Sequence, residues 1–271
     1  MSDRLEITIL GCGSSTGVPR SDGDWGACDP NEPRNRRSRC SLLVRRIGEG
    51  GGPESATTVL VDTSPDFRAQ VLGAGVRRLD AILFTHDHAD QVHGIDDTRV
   101  FALTSRRRTP CHMDAATRAT LMSRFRYIFR GEAGYPAICD EHLIPEHGTP
   151  WRVDGPSGAI PVTTFDQDHG GIRSVGYRFG DVAYSSDVVD LPEAAFAALD
   201  GVRVWIVDAL RHTPHPTHSH VARTLEWAAR VRAERTILTN MHIDLDFNAL
   251  SRELPNGVEP AHDGLRFEVP A

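Results

Sequence analysis

A short apolar run that ends in a cluster of histidines and aspartates is the feature that most constrains how this chain folds. Ala81-Ile82-Leu83-Phe84 leads directly into Thr85-His86-Asp87-His88-Ala89-Asp90. The run predicts a buried strand, which places the cluster in the loop at its carboxyl end. His86, His88 and Asp90 cannot share a helix face, because a helix brings together positions three and four apart. A loop that wraps a cation would bring all three side chains inward.

These side chains are of the kinds that bind divalent ions. Imidazole suits zinc, and carboxylate shifts the preference toward manganese or iron. A polar loop that is merely rich in histidine is the alternative, and three such groups at one strand end favour the metal site. We therefore expect a divalent metal site, zinc or manganese, at this loop.

Composition limits the class of protein. With 271 residues, 39% hydrophobic and 25% charged, the chain can bury a sizeable core as one large or two small globular domains. No stretch approaches the length of a membrane span and the start lacks an apolar signal region, so we expect a cytoplasmic protein. Five scattered cysteines predict reduced thiols. A formal net charge of −7 argues against bulk nucleic-acid binding.

Strand and helix patterns alternate along the chain, which indicates a layered α/β arrangement. The spacing of apolar residues predicts a helix at Phe67–Gly75 and an amphipathic helix at Asp114–Phe129, followed by an irregular segment at 131–150. Further strands are predicted at Leu5–Leu10, Ser41–Ile47, Thr57–Val61, Ile160–Phe165, Ser174–Phe179, Val182–Ser186, Val202–Val207, Arg235–Thr239 and Leu265–Val269.

Three strands of the second half are followed by candidate metal ligands, which are His169, Asp187 and His242. A single histidine or aspartate after a strand is more often a turn residue than a ligand. Recurrence at three strand ends, after the first cluster, favours ligands.

Two loops carry groups suited to a phosphate. Asn35-Arg36-Arg37-Ser38-Arg39 is either a solvated loop or a segment in which Arg36 or Arg37 binds phosphate oxygens with its planar fork. Four histidines lie around the start of a predicted helix whose N-cap is Thr217, where they would face an anion. They are His212, His215, His218 and His220, and we favour His215 and His218 without deciding between them.

The first cluster resembles the His-x-His-x-Asp-His motif of the metallo-β-lactamase superfamily, with Gln91 where the family usually has histidine. The resemblance implies an αββα four-layer sandwich, in which helices flank two central mixed sheets. It implies a single domain over 1–271 with a helical insertion at about 95–150.

The same resemblance implies a binuclear site. His86, His88, His169 and Asp187 would hold one divalent ion, while Asp90, His242 and the shared Asp187 would hold a second, with Gln91 beside it. Asp62 would support the metal loop through hydrogen bonds without being a ligand.

Three departures from the family pattern bear on the second ion. Gln91 replaces a histidine, and Asn240 stands where close relatives often have one, with His242 two positions later. Only isolated Cys28 and Cys40 remain of a cysteine cluster that holds structural zinc in one relative. We expect the second ion to bind more weakly, through different ligands, or exchangeably.

The segment His215-Pro216-Thr217 resembles one found in phosphodiesterases of the superfamily, such as tRNase Z-like proteins and the cyclic phosphodiesterase of phosphonate breakdown. The implied function is hydrolysis of a cyclic or nucleotide phosphodiester by a metal-activated hydroxide. Asp90 would orient the nucleophile, and His215 or His218 would protonate the leaving group.

Two alternatives stay open. One is a thioester or lactone hydrolase on the same fold. The other is a non-catalytic nucleotide- or metal-binding module, which Gln91 and Asn240 motivate. The expected partner is a small phosphodiester or nucleotide, with no membrane, and a homodimer is an open expectation.

Overall fold

Two mixed β-sheets of seven strands each form the centre of this computed structural model, which describes residues 3–271. Met1 and Ser2 of the predicted domain lie outside the described residues. The strands are β1 (Arg4–Gly11), β2 (Ser41–Ile47), β3 (Thr57–Val61), β4 (Ala81–Leu83), β5 (Thr109–Met113), β6 (Cys139–Leu143), β7 (Trp151–Val153), β8 (Ile160–Asp168), β9 (Arg173–Phe179), β10 (Val182–Ser185), β11 (Val204–Asp208), β12 (Arg235–Thr239), β13 (Val258–Pro260) and β14 (Arg266–Pro270).

Helices accompany both sheets. They are α1 (Phe67–Gly73), α2 (Ala89–Val92), α3 (Arg99–Ser105), α4 (Ala115–Arg124), α5 (Arg126–Arg130), α6 (Glu193–Leu199), α7 (Val221–Val231) and α8 (Phe247–Glu253), with short 3₁₀ turns at Pro33–Asn35 and Ile95–Thr98. The longest described helix, α7, has 11 residues. Within residues 3–271, therefore, no helix could cross a bilayer, which takes about 20 residues.

The strand orders are β14-β1-β2-β3-β4-β5-β6 in the first sheet and β13-β12-β11-β10-β9-β8-β7 in the second. Each sheet has antiparallel pairs at one end and parallel pairs at the other. The predicted αββα sandwich, with two mixed sheets between helices, is confirmed.

Alternating side chains of the first sheet build two separate cores. On β2, Leu42 and Val44 belong to the core that the two sheets share, whereas Leu43 belongs to the core beneath the helices. β4 follows the same alternation, with Leu83 in the shared core and Ile82 in the other. Because both faces of these strands are buried, their sequences read as continuous apolar runs.

The parallel strands bring their carboxyl ends to one edge of the sandwich. β3 and β4 run parallel in the first sheet, and β10, β11 and β12 run parallel in the second. Two hydrogen bonds join the sheets at the loop that follows β4. Val175 N–H donates to the Thr85 carbonyl at 2.9 Å, and the Tyr177 hydroxyl donates to the Phe84 carbonyl at 2.7 Å.

Three polar residues that follow strands at this edge have left-handed backbones. Asp62, Asp187 and Asn240 have φ values of 61°, 53° and 59°. Aspartate and asparagine tolerate this region better than other residues with a Cβ atom. The sharp turn that each one makes directs its side chain back toward the strand ends.

The stretch 95–150, predicted to be a helical insertion, contains α3, α4 and α5 but also β5 and β6, which extend the first sheet. The helix expected at Asp114–Phe129 is two helices that meet at Phe125, where φ is −123°. The segment 131–150, expected to be irregular, includes β6. This edge strand carries Asp140, Glu141 and His142, so its sequence lacks the apolar pattern of a buried strand.

Candidate metal centre

Three imidazoles meet at the edge where the parallel strands end. His86 and His88 come from the loop between β4 and α2, and His169 follows β8. The ring centroids lie 4.5 Å apart for His86 and His88, and 5.0 Å apart for each of these rings with His169. His88 Nδ1 and His169 Nε2 are 3.2 Å apart. Two nitrogens bound tetrahedrally to one zinc ion would be about 3.3 Å apart, so the spacing fits a shared ion.

A hydrogen-bond chain determines which nitrogen of His86 faces this cluster. The Asp62 carboxylate accepts from Thr85 twice, from its backbone N–H and from its hydroxyl, both at 2.8 Å. Because the hydroxyl gives its proton to Asp62, its oxygen is left to accept from His86 Nδ1–H at 3.0 Å. His86 Nε2 then carries the lone pair that a metal ion requires.

Burial agrees with this assignment. His86 is only 1% exposed, and its Nε2 has no hydrogen-bond partner among residues 3–271. Burial lowers the pKa of His86 to about 3, so the imidazole is neutral near pH 7. Burial also raises the pKa of Asp62, whereas the two hydrogen bonds from Thr85 favour its carboxylate, as would a cation on His86.

His169 is oriented in the same way by the backbone. Its Nδ1 lies 2.7 Å from the Thr217 carbonyl oxygen, which can only accept. Nδ1 therefore carries the proton, and the lone pair of Nε2 faces His88. A nitrogen lone pair of His86 and one of His169 therefore face the cluster from two sides.

The ligand atoms of His86, His88 and His169 all lie within 4.8 Å of one another, and those of His169, Asp187 and His218 form a second such group. Burial would raise the pKa of Asp187, but the surrounding imidazoles, His86 first among them, lower it. The donor set of three imidazoles with a carboxylate beside them fits a divalent ion of the zinc and manganese kind.

The predicted second site is arranged differently. Asp90 and Asp187 face the side chain of Gln91, whose Nε2 lies 3.3 Å from Asp90 Oδ2 and 3.1 Å from Asp187 Oδ2. Asn240 Nδ2 lies 3.3 Å from Asp187 Oδ1. Burial, followed by the charge of Asp187, raises the pKa of Asp90 to about 6.

His242, predicted to be a ligand of the second ion, lies outside both groups of candidate ligands. Its Nε2 accepts a hydrogen bond of 2.7 Å from the Arg20 guanidinium, and its Nδ1 is 3.0 Å from Asp244 Oδ2. The Arg20 guanidinium engages the lone pair of Nε2, so the ring proton lies on Nδ1, which has no hydrogen-bond partner among the described residues. No lone pair is then left for an ion in this conformation.

Of the four histidines near α7, His218 comes nearest to the predicted role. Its Nδ1 is 2.9 Å from Asp208 Oδ2, and its ring centroid is 4.8 Å from that of His169. Burial opposes the charged form, but the Asp208 carboxylate raises the pKa of His218 to about 9. His215 lies beside it, with ring centroids 5.2 Å apart, and burial lowers the pKa of His215.

The structure directs the two predicted phosphate-binding arginines away from the cluster. Arg37 is 1% exposed and donates to the carbonyls of His242 and Leu245 at 3.3 and 2.7 Å, which fixes that loop. Arg36 lies over the Trp25 ring, with its Cζ 5.1 Å from the centroid.

Two other arginines line a cavity next to the cluster. A cavity of about 550 Å³ beside Asp90 has Arg20 and Arg39 in its wall, together with Ser15, Thr16, Ser21, Asp22, Pro65 and Ala89. Neither arginine was predicted from the sequence to bind phosphate, and Asp208 was not predicted to belong to the site. Each has a signal in the sequence, since Arg20 directly follows the small-residue segment 11–19, Arg39 ends the arginine segment, and Asp208 ends a parallel strand.

Comparison with known proteins identifies the class. The family described as "Beta-lactamase superfamily domain" matches residues 57–243, well over half of the chain. The chain therefore belongs to the metallo-β-lactamase superfamily, as its sequence motif predicted.

Solved structures of two other proteins are similar to this chain. A crystal structure described as a new diphosphatase from the PhnP family is 34% identical, with a TM-score of 0.85, and the match covers 98% of this chain and 97% of that one. The short form of human tRNase Z shares the fold at 17% identity and a TM-score of 0.66, over 98% of this chain and 100% of that one.

A curated relative has a different name. An octanoyltransferase of Porphyromonas gingivalis is 29% identical over 266 residues. The match covers 96% of this chain but only 51% of that protein, so the chain spans about half the length of this relative.

Proposed function

We propose that this chain is a metal-dependent phosphodiesterase that hydrolyses a small cyclic or nucleotide phosphodiester. The observation that carries the proposal is the cavity beside Asp90, because its wall contains the guanidinium groups of Arg20 and Arg39. Guanidinium groups match phosphate oxygens in charge and geometry. The 34% identical relative described as a diphosphatase supports the same chemistry.

The two arginines are held at the cavity by other contacts. Arg39 is paired with Asp66 at 3.0 Å, and Arg20 bonds to His242 and lies 3.4 Å from Asp24. Among the described residues, no hydrogen bond joins either arginine to His86, His88, His169 or Asp187, and both line the cavity where an anion would lie. They replace Arg36 and Arg37 in the proposed phosphate-binding role.

In this proposal, His86, His88, His169 and Asp187 hold a divalent ion, zinc or manganese. When bound, such an ion acts as a Lewis acid and lowers the pKa of water. The remaining steps belong to the side chains. Asp90 orients the attacking water and accepts its proton, and the water oxygen bonds to phosphorus while the bond from phosphorus to the leaving oxygen breaks.

The leaving oxygen then needs a proton, and two histidines are placed to give one. His215 Nδ1 accepts from Thr217 N–H at 3.3 Å, so its Nε2 carries the proton. His218 donates Nδ1–H to Asp208, and in its protonated form it also presents Nε2–H. We assign the general acid to this pair.

An acyl substrate is the second candidate function, because the P. gingivalis relative is named an octanoyltransferase. That relative supports hydrolysis of a thioester or another acyl compound on the same scaffold. Such a substrate would gain little from the two arginines, and this difference makes the two candidates separable.

The proposal is tested by substrate class. Protein freed of metal by chelation and reconstituted separately with zinc and manganese should hydrolyse bis(p-nitrophenyl) phosphate, and chelation should abolish the activity. The monoester p-nitrophenyl phosphate and an acyl thioester are measured in parallel. Turnover of the thioester without turnover of the diester would reject the phosphodiesterase and favour the acyl hydrolase.

Replacing Arg20 by alanine should lower kcat/KM for the diester by about 10- to 100-fold, because a hydrogen bond to a charged group contributes about 1.5–3 kcal/mol. Arg36→Ala is the matched control, since it removes a nearby guanidinium that lies over Trp25. Steady-state kinetics should show near-native values for this control. Equal losses in both variants would argue against the assignment of Arg20.

A further inference from the structure

We propose that this chain binds one divalent ion, and that two side-chain amides take the place of the second ion implied by the superfamily resemblance. The inference rests on the proposed function, because it concerns the ion of the same site. It is carried by the contacts of Gln91, Asn240 and His169.

Gln91 fills the space between the carboxylates that a second ion would need. Its side chain is fully buried, and its Nε2 lies within 3.3 Å of Asp90 Oδ2 and 3.1 Å of Asp187 Oδ2. Carboxylate oxygens only accept hydrogen bonds, so the amide presents its N–H groups to both of them. An N–H group cannot ligate a cation.

Asn240 makes the same contact on the other side of Asp187. Its Nδ2 lies 3.3 Å from Asp187 Oδ1, so each oxygen of this carboxylate accepts from an amide. Imidazoles at these two positions would instead offer lone pairs. With Gln91 and Asn240 in place of histidines, two metal ligands become neutral hydrogen-bond donors. Their N–H groups stabilise the negative charge of the Asp187 carboxylate.

The two groups of candidate ligands are alternatives rather than two sites. Both contain His169, whose Nδ1–H is donated to the Thr217 carbonyl. His169 therefore has one lone pair, on Nε2, and can ligate one ion. In His242, the remaining predicted ligand, the lone pair of Nε2 is engaged by Arg20, so the ring proton lies on Nδ1.

One rearrangement would change this conclusion. Gln91 Oε1 is buried and has no hydrogen-bond partner in the described part of the chain. If the amide were rotated by 180°, this oxygen would face the carboxylates of Asp90 and Asp187. Oxygen acceptors repel one another, so this orientation would be favourable only with a second cation bound between them. That arrangement requires two ions per chain, so metal stoichiometry distinguishes it from the proposal.

The test is to load the full chain with excess zinc or manganese, remove loosely bound ions by gel filtration, and measure metal per chain by mass spectrometry. We expect one ion per chain for either metal, and none for His88→Ala, which changes an exposed ligand. Two ions in the native chain, or one ion left in His88→Ala, would overturn the proposal.

A gain of binding tests the role of the amides directly. The double substitution Gln91→His and Asn240→His should raise the stoichiometry to two, and adding Asp90→Asn to that chain should return it to one. Circular dichroism checks that each variant is folded. A folded double variant that still binds one ion would show that the amides do not exclude the second.

The outcome is independent of catalysis, because stoichiometry is measured without substrate. One ion per chain with no turnover of any phosphodiester would leave this inference standing and overturn the proposed function. Two ions per chain with turnover of a phosphodiester would overturn this inference and leave the proposed function standing.

Discussion

Replacing His86 by alanine is expected to abolish metal binding and hydrolysis together. The native imidazole is buried, unprotonated and aimed by Thr85 at the other two histidines, so no neighbouring group can replace it. Loss of Lewis-acid catalysis costs several kcal/mol, which is on the order of 1,000-fold or more in rate. Metal content and diester turnover, measured on the same preparation, check the expectation.

His93→Ala is the control for this variant. His93 follows α2 in the same loop region but is exposed, and its ring lies against Phe125 with centroids 5.9 Å apart. Its removal should leave metal content and turnover near native values. Full activity in His86→Ala would reject the three-histidine centre.

The second large effect is expected from Asp62→Asn, a change that preserves size but alters a hydrogen-bond direction. An amide nitrogen in place of Asp62 Oδ2 would donate to the Thr85 hydroxyl, which would then donate to His86 Nδ1. The proton of His86 would move to Nε2 and block the metal-binding lone pair. Substitution of a residue that supports a metal ligand typically costs about 10- to 100-fold in affinity.

Two substitutions at Thr85 separate this effect from simple destabilisation. Thr85→Ser keeps the hydroxyl and should bind metal almost normally, whereas Thr85→Val removes it and should resemble Asp62→Asn. Titration with zinc in the presence of a competing chelator measures the affinities. If Asp62→Asn binds zinc as tightly as the native chain, the proposed hydrogen-bond chain does not control His86.

The fold was predictable where both faces of a strand are buried. β2, β3 and β12 occupy Ser41–Ile47, Thr57–Val61 and Arg235–Thr239, as the apolar runs predict. β6, β7 and β13 were missed because they lie at sheet edges, where few side chains are buried and the apolar pattern is weak. β5 was also missed, although it lies inside the first sheet, because Thr109, Pro110 and His112 interrupt its apolar pattern. The neighbouring strand, not the local sequence, decides that such segments become strands.

In the candidate site, too, some features could be predicted from the sequence and others depend on the tertiary structure. His86, His88 and Asp90 are close in sequence, and their loop follows a strand that is easily recognised. His169 and Asp187 also follow recognisable strands, and the structure brings them to the same edge. Their role as candidate metal ligands could be predicted from the sequence, because the carboxyl ends of parallel strands meet at one edge of a sheet.

The amino-acid sequence alone therefore determined the superfamily, the αββα fold and a divalent metal site at the strand ends, because local apolar patterns and a short motif specify them. The tertiary structure alone decided that His218 faces the cluster while His242 binds Arg20, and that Arg20 and Arg39 line the cavity while Arg37 is buried. It also decided that Gln91 and Asn240 donate to Asp187. The physical reason is that a side chain's direction and its hydrogen-bond partners depend on segments distant in sequence, which only the packed sheets bring together.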